Sequence, residues 1–446
     1  MDMNVFMDKL LAAAKAAGME AAEVYYQSEE SFQTRARDGQ VDSYQVSATE
    51  GLSLRGMVNG RMGYASTEAF DDEAVSQLIE GVKEAAALVE SPEQDEIFAG
   101  EKEYPQLEAA ASDIAKVTAD EKLALCLELE KQAREGDPRV TKADASVSTW
   151  ARTLRLKNSY GLDLSDERSG CMAGASTIAK DGDSTATGGE RFRGHNVSEL
   201  DVKKVADSAV KDAVDQLHGE PVTTGEYRVI FDRHAMAALL RTFSGMFSAE
   251  SAQQNMSLLK GKEGTVIAAE IVTVMDDPLF PGGFGSRPFD AEGSASRTKA
   301  VIDKGVLTTL LHTRKTAKKQ GVEPTGNAGR DGYSGAVHVS PTNLYLKPGE
   351  KTLEELMADV GEGLVITSLS GLHAGANPLS GDFSLLSNGY TVEGGKRGRA
   401  VERVTVAGNF YEVLKNIRAI GSDLELPLGG VDSPSVDAGV LKVSGK

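Results

Sequence analysis

The stretch that most constrains this chain is a buried strand running straight into a long, apolar-faced helix. Tyr227 to Phe231 reads YRVIF, a short apolar run of the kind that forms buried strands. The helix that follows is predicted over Asp232 to Glu250, with Asp232 as its N-cap. Met236, Leu239, Leu240, Phe243, Met246 and Phe247 recur at helical spacing and make one continuous stripe. Zinc-dependent hydrolases use such a helix for two His one turn apart, with a Glu that acts on the metal-bound water. Here the corresponding face carries His234 alone, beside Ala235, Ala237 and Ala238. The residues predict a helix built to pack.

At 446 residues the chain exceeds one ordinary core, so two domains are expected, 1–220 and 221–446. The boundary is placed at HGEPVTTGE, where Gly219 and Pro221 end a helix. The net charge of -19 is unevenly spread. Residues 1–221 hold 42 Asp and Glu against 24 Lys and Arg, whereas the remainder holds 25 against 24. An acidic half repels phosphate backbones, which argues against nucleic acid as a partner. No apolar run approaches the ~18 residues that span a bilayer. The opening residues lack the basic start and cleavage site of a signal peptide, so a cytoplasmic location and no membrane partner are expected. Cys126 and Cys171 form no CxxC pair and read as buried free thiols, Cys126 within an apolar helix.

The first half reads as a helix, Asn4–Ala17, then short strands at 22–27, 31–37, 40–48, 52–58 and 62–67. A helix follows over Asp71–Val89, then a polar connection from Glu90 to Val117. Asp38-Gly39 and Asn59-Gly60 are dipeptides that tight hairpin turns prefer. The order then recurs. Thr118 to Glu121 is a capping box opening a helix, strands run from Val140 to Phe192, and Ser198–Leu217 is helical. The interval from Gly39 to Gly161 equals that from Gly60 to Gly182, as an internal helix–meander–helix duplication requires. His195 and His218 read as surface residues, and Trp150 as a core or interface anchor. The second half reads as a β-rich α+β domain: a β-branched run at Thr265–Met275, a hairpin around Lys304-Gly305, a short helix over Arg314–Gln320 and a helix after Asn409. The expected fold class is therefore α+β throughout, with antiparallel sheet and flanking helices in the first half.

Four polar loops carry the more specific signal. They are Asp290-Ala-Glu-Gly293; Pro324-Thr-Gly-Asn327 with Arg330; Gly371-Leu-His-Ala-Gly-Ala-Asn377 leading into Ser380-Gly-Asp-Phe-Ser384; and Val406-Ala-Gly-Asn409. In this order, with the segment Glu23–Thr67 before them, they resemble the TldD/PmbA family, proteins once called modulators of DNA gyrase. The resemblance spans essentially the whole chain. It implies two kinds of subunit that join as a heterodimer and degrade peptides. The TldD kind carries HExxxH on the helix after the domain boundary and a later Cys, together a zinc site. The PmbA (TldE) kind lacks those ligands. Aligning the helices on the Leu239-Leu240 pair places Arg241 and Met246 where the two His belong and Thr242 in place of the Glu. Past Cys171 there is no cysteine, and past His373 no histidine. The resemblance therefore implies a PmbA/TldE-type subunit with no zinc of its own, zinc being expected only in a TldD-like partner.

Metal-free hydrolysis needs a nucleophile with a base in reach. His373 is the best base, with Asn377, Ser380 and Asp382 near it in sequence; the alternative is that these residues cap turns. GDFS is no nucleophile elbow, since no GxSxG surrounds it. Asp276-Asp277 reads as a solvated turn, His312 as a satisfied strand-end histidine, and His338 as pointing away from Val337 and Val339. His373, Asn377, Gly381 and Asp382 are the candidates for lining a groove that takes extended peptide by strand addition, within the Gly-rich run 371–398. Three functions stay open at this point. They are a subunit of a TldD/TldE-type peptidase, a regulatory or binding protein without hydrolytic role, and an independent peptidase with a site of another kind. A homodimer in the absence of the partner is also expected.

Overall fold

The computed structural model describes residues 2–90, 95–107, 112–425 and 430–446. The predicted connection from Glu90 to Val117 thus lies partly outside the described residues, at 91–94 and 108–111.

The chain is an α+β protein. Helix α1 (Met3–Ala16) starts at Asp2, whose carboxylate accepts the N–H groups of Asn4 and Val5. The predicted short strands merge into three: β1 (Ala21–Arg37), β2 (Gln40–Val58) and β3 (Arg61–Thr67). The polar stretches around Ser28 and Glu50 read as breaks, yet Ser28 pairs with Glu50 and Glu30 with Ala48 without interruption. Ladder hydrogen bonds use the backbone, so a strand continues through polar residues where both faces meet solvent. The hairpin turns are as predicted. Asp38, Gly39, Asn59 and Gly60 take φ of 51°, 71°, 50° and 71°, the left-handed pair that such turns demand.

The same order recurs after α2 (Asp72–Leu88). It comprises α3 (Ala119–Glu135), β4 (Val140–Asn158), β5 (Asp163–Asp181), β6 (Ser184–Gly194) and α4 (Val202–Asp215). The Thr118–Glu121 capping box is present. The helix predicted from Ser198 is instead a 3-10 turn at Val197–Glu199, a break, and then α4. The two units join through β1 and β4 into one antiparallel six-stranded sheet, order β3-β2-β1-β4-β5-β6. Helices α1 and α2 cover one end with Phe6, Met7, Leu10, Leu78 and Val82 against Val24, Leu52 and Leu54. Helices α3 and α4 cover the other with smaller residues, among them Ala133, Ala206 and Ala209. A Cβ on Gly63 would lie 1.9 Å from the Val82 carbonyl, and one on Gly188 2.1 Å from the Ala213 nitrogen. Each glycine lets a helix lie directly on the sheet.

The second half opens with β7 (Gly225–Phe231) and α5 (Arg233–Phe243), then a 3-10 turn at Ser244–Phe247 and α6 (Ala249–Gln253). The single helix expected to Glu250 is therefore broken at Ser244, whose hydroxyl donates to the Arg241 carbonyl ahead of Gly245. The apolar stripe is buried nonetheless; Met246 is 1% and Phe247 0% exposed. Most of the β-branched run 265–275 is irregular, and only its end enters β8 (Val274–Asp276). Hairpin β9 (Lys299–Asp303) and β10 (Val306–Leu307) turns at Lys304-Gly305, and α7 (Arg314–Gln320) follows as expected. Then come β11 (Ala328–Gly329), β12 (His338–Val339), β13 (Leu344–Leu346), α8 (Leu353–Val360), β14 (Gly363–Ser370) and α9 (Leu372–Gly375). The Gly-rich run 371–398 is largely a hairpin of β15 (Asp382–Glu393) and β16 (Lys396–Asn409). The chain ends with α10 (Phe410–Asn416), β17 (Ala419–Ile420), β18 (Val431–Asp432) and β19 (Val436–Ser444).

Strands β16-β15-β14-β7-β19-β17 form a sheet that β16 closes by pairing with β19, so it is barrel-like. A second sheet, β10-β9-β8-β13-β18, packs with it around a core that includes Phe231, Leu239, Phe243, Phe247 and Phe410. Among the described residues, no helix is long and apolar enough to cross a membrane.

Candidate functional site

Helix α5 leaves the barrel-like sheet at β7, and its two ends carry different chemistry. At the first turn, the Asp232 carboxylate accepts the Ala235 N–H at 2.8 Å; burial pushes this carboxyl up to about 7. His234 is exposed, with its Nε2 accepting from Arg233 Nε at 3.3 Å, and Arg233 pairs with Glu425 at 2.8 Å. At the last turn, Arg241 Nη2 donates to the Val431 carbonyl at 2.9 Å. The Thr242 hydroxyl donates back to the Ala238 carbonyl at 2.8 Å. Met246 lies on the 3-10 turn beyond α5, inside the core. Strand β6 of the first half reaches this end too. Burial, and then the neighbouring Arg241, lower the pKa of Arg193, with Asp432 opposing them.

This donor set does not fit zinc. Structural and catalytic zinc sites use thiolate, imidazole and carboxylate. Arg241, Thr242 and Met246 supply a guanidinium, a hydroxyl bonded within its own helix, and a thioether in the core. Among the described residues, no group of three or more His, Cys, Asp and Glu could hold a metal ion. Burial raises the Cys126 and Cys171 thiols to about 11 and about 12, which keeps them protonated and unreactive.

The segments on either side of α5's last turn include β15 and α10, which flank the loop 371–382. Phe243 stacks on Phe410 with centroids 4.8 Å apart and meets Phe383 at 6.4 Å. The loop's polar groups satisfy one another. Asn377 Oδ1 accepts the N–H groups of Leu379 and Ser380, and Asn377 N–H donates to the Asp382 carbonyl. Asn409 caps α10 and donates to the Ser380 carbonyl at 2.8 Å and to Asp382 Oδ1 at 2.9 Å. The bond from Asn409, and then one from the Ser380 side chain, lower the Asp382 pKa. Gly381 is buried at φ 84°, where a Cβ would strike Tyr411 at 2.4 Å. His373 is exposed on the single turn α9. The structure thus brings Asn377, Gly381 and Asp382 together in one hydrogen-bonded loop, which follows α9 and its exposed His373.

A second constellation escaped the sequence, namely a buried charge network between the halves. Arg330, its side chain 0% exposed, donates to Glu23 at 2.6 Å and lies 4.4 Å over the Tyr25 ring. Arg55 sits among Glu23 at 3.6 Å, Asp95 at 3.3 Å and Glu292 at 4.0 Å. The Glu292 carboxylate accepts the Arg314 N–H at 2.8 Å, and Arg314 grips Glu96 while stacking on Phe98 at 3.7 Å. Asp290 accepts the N–H groups of Glu292, Ser294 and Ala328. The loops at 290–293 and 324–330 therefore lock the first sheet to the second half. Arg330 with Glu23 and Arg314 with Glu96 are more than two hundred residues apart, so their pairing emerges only from the fold.

Asp276, His195 and Trp150 differ from, or sharpen, what the sequence suggests. Asp276 is not solvated. It is 0% exposed and bonded to Lys299, Asn327 and Thr342, which hold its pKa down despite burial. His195 is no free surface residue: it stacks on Phe284 at 4.9 Å, and its ring nitrogens meet the Ser169 and Gly282 carbonyls. Trp150 is an interface anchor, 6.3 Å from Phe284. His312 is buried against Thr316, as expected.

Known proteins share this architecture. Family models match three consecutive parts: PmbA/TldA metallopeptidase domain 1 at residues 22–88, the central domain at 112–217 and the C-terminal domain at 224–445. A solved Thermotoga maritima protein described as a modulator of a DNA gyrase superimposes with a TM-score of 0.92 at 31% identity, covering 99% of this chain and 100% of that one. The metalloprotease PmbA of Escherichia coli O157:H7 is 25% identical over 98% of this chain and 94% of its own length. The metalloprotease TldD homolog of Haemophilus influenzae is also 25% identical, over 94% and 90%. Overall identity therefore does not separate the two kinds of relative. With its three domains matched in order along nearly all its length, this chain belongs to the TldD/PmbA family.

Proposed function

We propose that this chain is a PmbA/TldE-type subunit of a TldD/TldE-type peptidase, carrying no zinc itself and supplying part of a groove for unfolded peptide. The observation that supports this is the end of α5 and the turn after it, where Arg241 bonds a carbonyl, Thr242 the helix backbone and Met246 enters the core. None of the three is a zinc ligand as it stands: a guanidinium stays charged, the Thr242 hydroxyl is bonded to its own helix and the Met246 thioether lies in the core. Zinc would come from a TldD-like partner. The hydrogen-bonded loop bearing Asn377, Gly381 and Asp382, preceded by His373 on α9, would form one wall of the groove, since the strand it leads into sets Phe383 against Phe243 of α5. Its role would be to hold substrate backbone, which recognises extended chains whatever their side chains.

The test is cleavage of an unfolded reporter peptide by this chain alone, with and without chelator, and after adding a zinc-bearing TldD relative. Cleavage only in the mixture, lost on chelation, is expected. Cleavage by this chain alone refutes the proposal, and no cleavage under any condition favours the purely regulatory role.

A further inference from the structure

Three arginines from separate segments gather between the first sheet and the second half. Tyr25 of β1 pairs with Leu156 of β4, and Arg152, four residues earlier on β4, lies on the same face of the sheet. Arg152 stands directly opposite Arg168 of β5, which sets their Cβ atoms about 5 Å apart. Like charges in that position repel and destabilise a sheet. The third, Arg287, comes from the loop ahead of Asp290 in the second half. Trp150 and Phe284 close one end of the space, with Arg152 5.7 Å over the Trp150 ring. Tyr25 closes the other, packed with Leu156 and Phe289.

Too few acids accompany these cations. Asp166 is bonded to Arg168. Glu29 stands opposite Arg152 on β1 yet makes no ion pair with it. Among the described residues, Arg152 makes no hydrogen bond or ion pair at all. Arg287 donates from Nη2 to the Gly326 carbonyl at 3.3 Å, and its Nε is buried without a partner. Two of the three positive charges thus lack a carboxylate. Tyr25 adds an open group: it is 3% exposed, and its hydroxyl makes no hydrogen bond among the described residues. Buried polar groups are ordinarily satisfied, so these donors call for a partner. Burial lowers the Arg168 pKa; Asp166 opposes this, and Arg152 and Arg287 add to it. Burial raises that of Tyr25, and Arg330, Arg152, Arg287 and Arg168 oppose it, so the phenol lies in the field of the whole cluster.

We propose that Arg152, Arg168, Arg287 and the Tyr25 hydroxyl form a binding site for a phosphate group, free or on a small monoester. Guanidinium forks match phosphate oxygens and bond them in pairs. A phosphate monoester carries about 1.5 to 2 negative charges at pH 7, which answers the two arginines that lack a carboxylate. Donors that arrive from three strands and a loop suit a tetrahedral group, whereas a lone carboxylate is planar and brings one charge. The acids of the first half repel long polyanions, so the ligand is a small one. This proposal does not rest on the peptidase reading, since it uses no residue of α5 or of the loop 371–382.

Isothermal titration calorimetry of the full chain at pH 8 and fixed ionic strength, with inorganic phosphate as titrant, is expected to show saturable binding at one site per chain. Phosphate should also raise the melting temperature above that in chloride of equal ionic strength. Arg152→Gln should weaken phosphate binding about tenfold or more and abolish that rise. Its circular dichroism should match the wild type, because Arg152 bonds no protein group. Tyr25→Phe keeps the ring beneath Arg330 and should weaken binding severalfold. Phosphoserine separates the two sources: tighter binding than phosphate identifies a monoester, and weaker binding the free ion. Absence of saturable phosphate binding overturns the proposal. So does acetate that binds as well as phosphate, or phosphate affinity unchanged in either variant.

Discussion

Replacing Arg330 by Met should destabilise the junction between the first sheet and the second half more than any surface change in the protein. Both partners are out of water, with the Arg330 side chain 0% and Glu23 1% exposed. Losing the guanidinium removes the 2.6 Å bond to Glu23, the 3.3 Å contact with Ser53 and the stacking on Tyr25. What is left is a carboxylate in a dry seam whose remaining cation, Arg55, stands 3.6 Å away and is shared with Asp95 and Glu292. Removing one member of a buried pair costs about 3–5 kcal/mol, and the residual help from Arg55 places this case near about 3. Loss of the cation–π contact adds about 1 kcal/mol. Urea unfolding followed by tyrosine and tryptophan fluorescence should therefore show the first transition weakened by about 4 kcal/mol. The double variant Glu23→Leu/Arg330→Met leaves no orphaned charge and should be less destabilised than Arg330→Met alone. A single variant within about 1 kcal/mol of wild type, or a double variant worse than the sum of the two singles, would refute the seam as the lock between the halves.

Burial and the adjacent Asp290 push the Glu292 carboxyl up to about 8, so the folded state holds this proton more tightly than the unfolded chain. Stability from this group is complete at low pH and declines as pH rises from about 4.5 through about 8; Glu292→Gln should flatten that slope in denaturation measured across this range. Phe243→Ala removes a 1% exposed ring stacked on Phe410 and should cost about 3–5 kcal/mol, read by thermal melting. Asn409→Ala deletes the cap of α10 together with its bonds to Ser380 and Asp382. The expected loss is about 1–2 kcal/mol, with faster amide exchange at 378–382 than elsewhere in the domain.

The parts of this fold legible in the sequence are those fixed by local chemistry. Asp38-Gly39 and Asn59-Gly60 announce their turns because few residues tolerate a left-handed backbone, and Thr118 with Glu121 announces α3 because a helix start needs both groups. The apolar stripe from Met236 to Phe247 gave correct burial even though the helix breaks at Ser244, since packing and hydrogen bonding are separate requirements. Strand lengths were misjudged where polar residues such as Ser28 and Glu50 pair across a ladder that needs no apolar side chain. The inter-half seam was invisible because Glu23, Arg55, Glu292 and Arg330 lie far apart along the chain. His195 gave no signal either, since the loop it clasps, Gly282–Phe284, comes some ninety residues later. At the candidate site, the resemblance pointed to α5 and to the loops, but the commitment of Arg241 and Thr242 to carbonyls emerges only from their geometry.

On this reading the end of α5 offers zinc no ligand. Elemental analysis of the full chain, expressed with added zinc, purified without chelator and passed through gel filtration, tests it directly. Zinc far below one atom per chain is the predicted result. Stoichiometric zinc that survives gel filtration, and that is lost on substituting residues at the end of α5, would contradict the account.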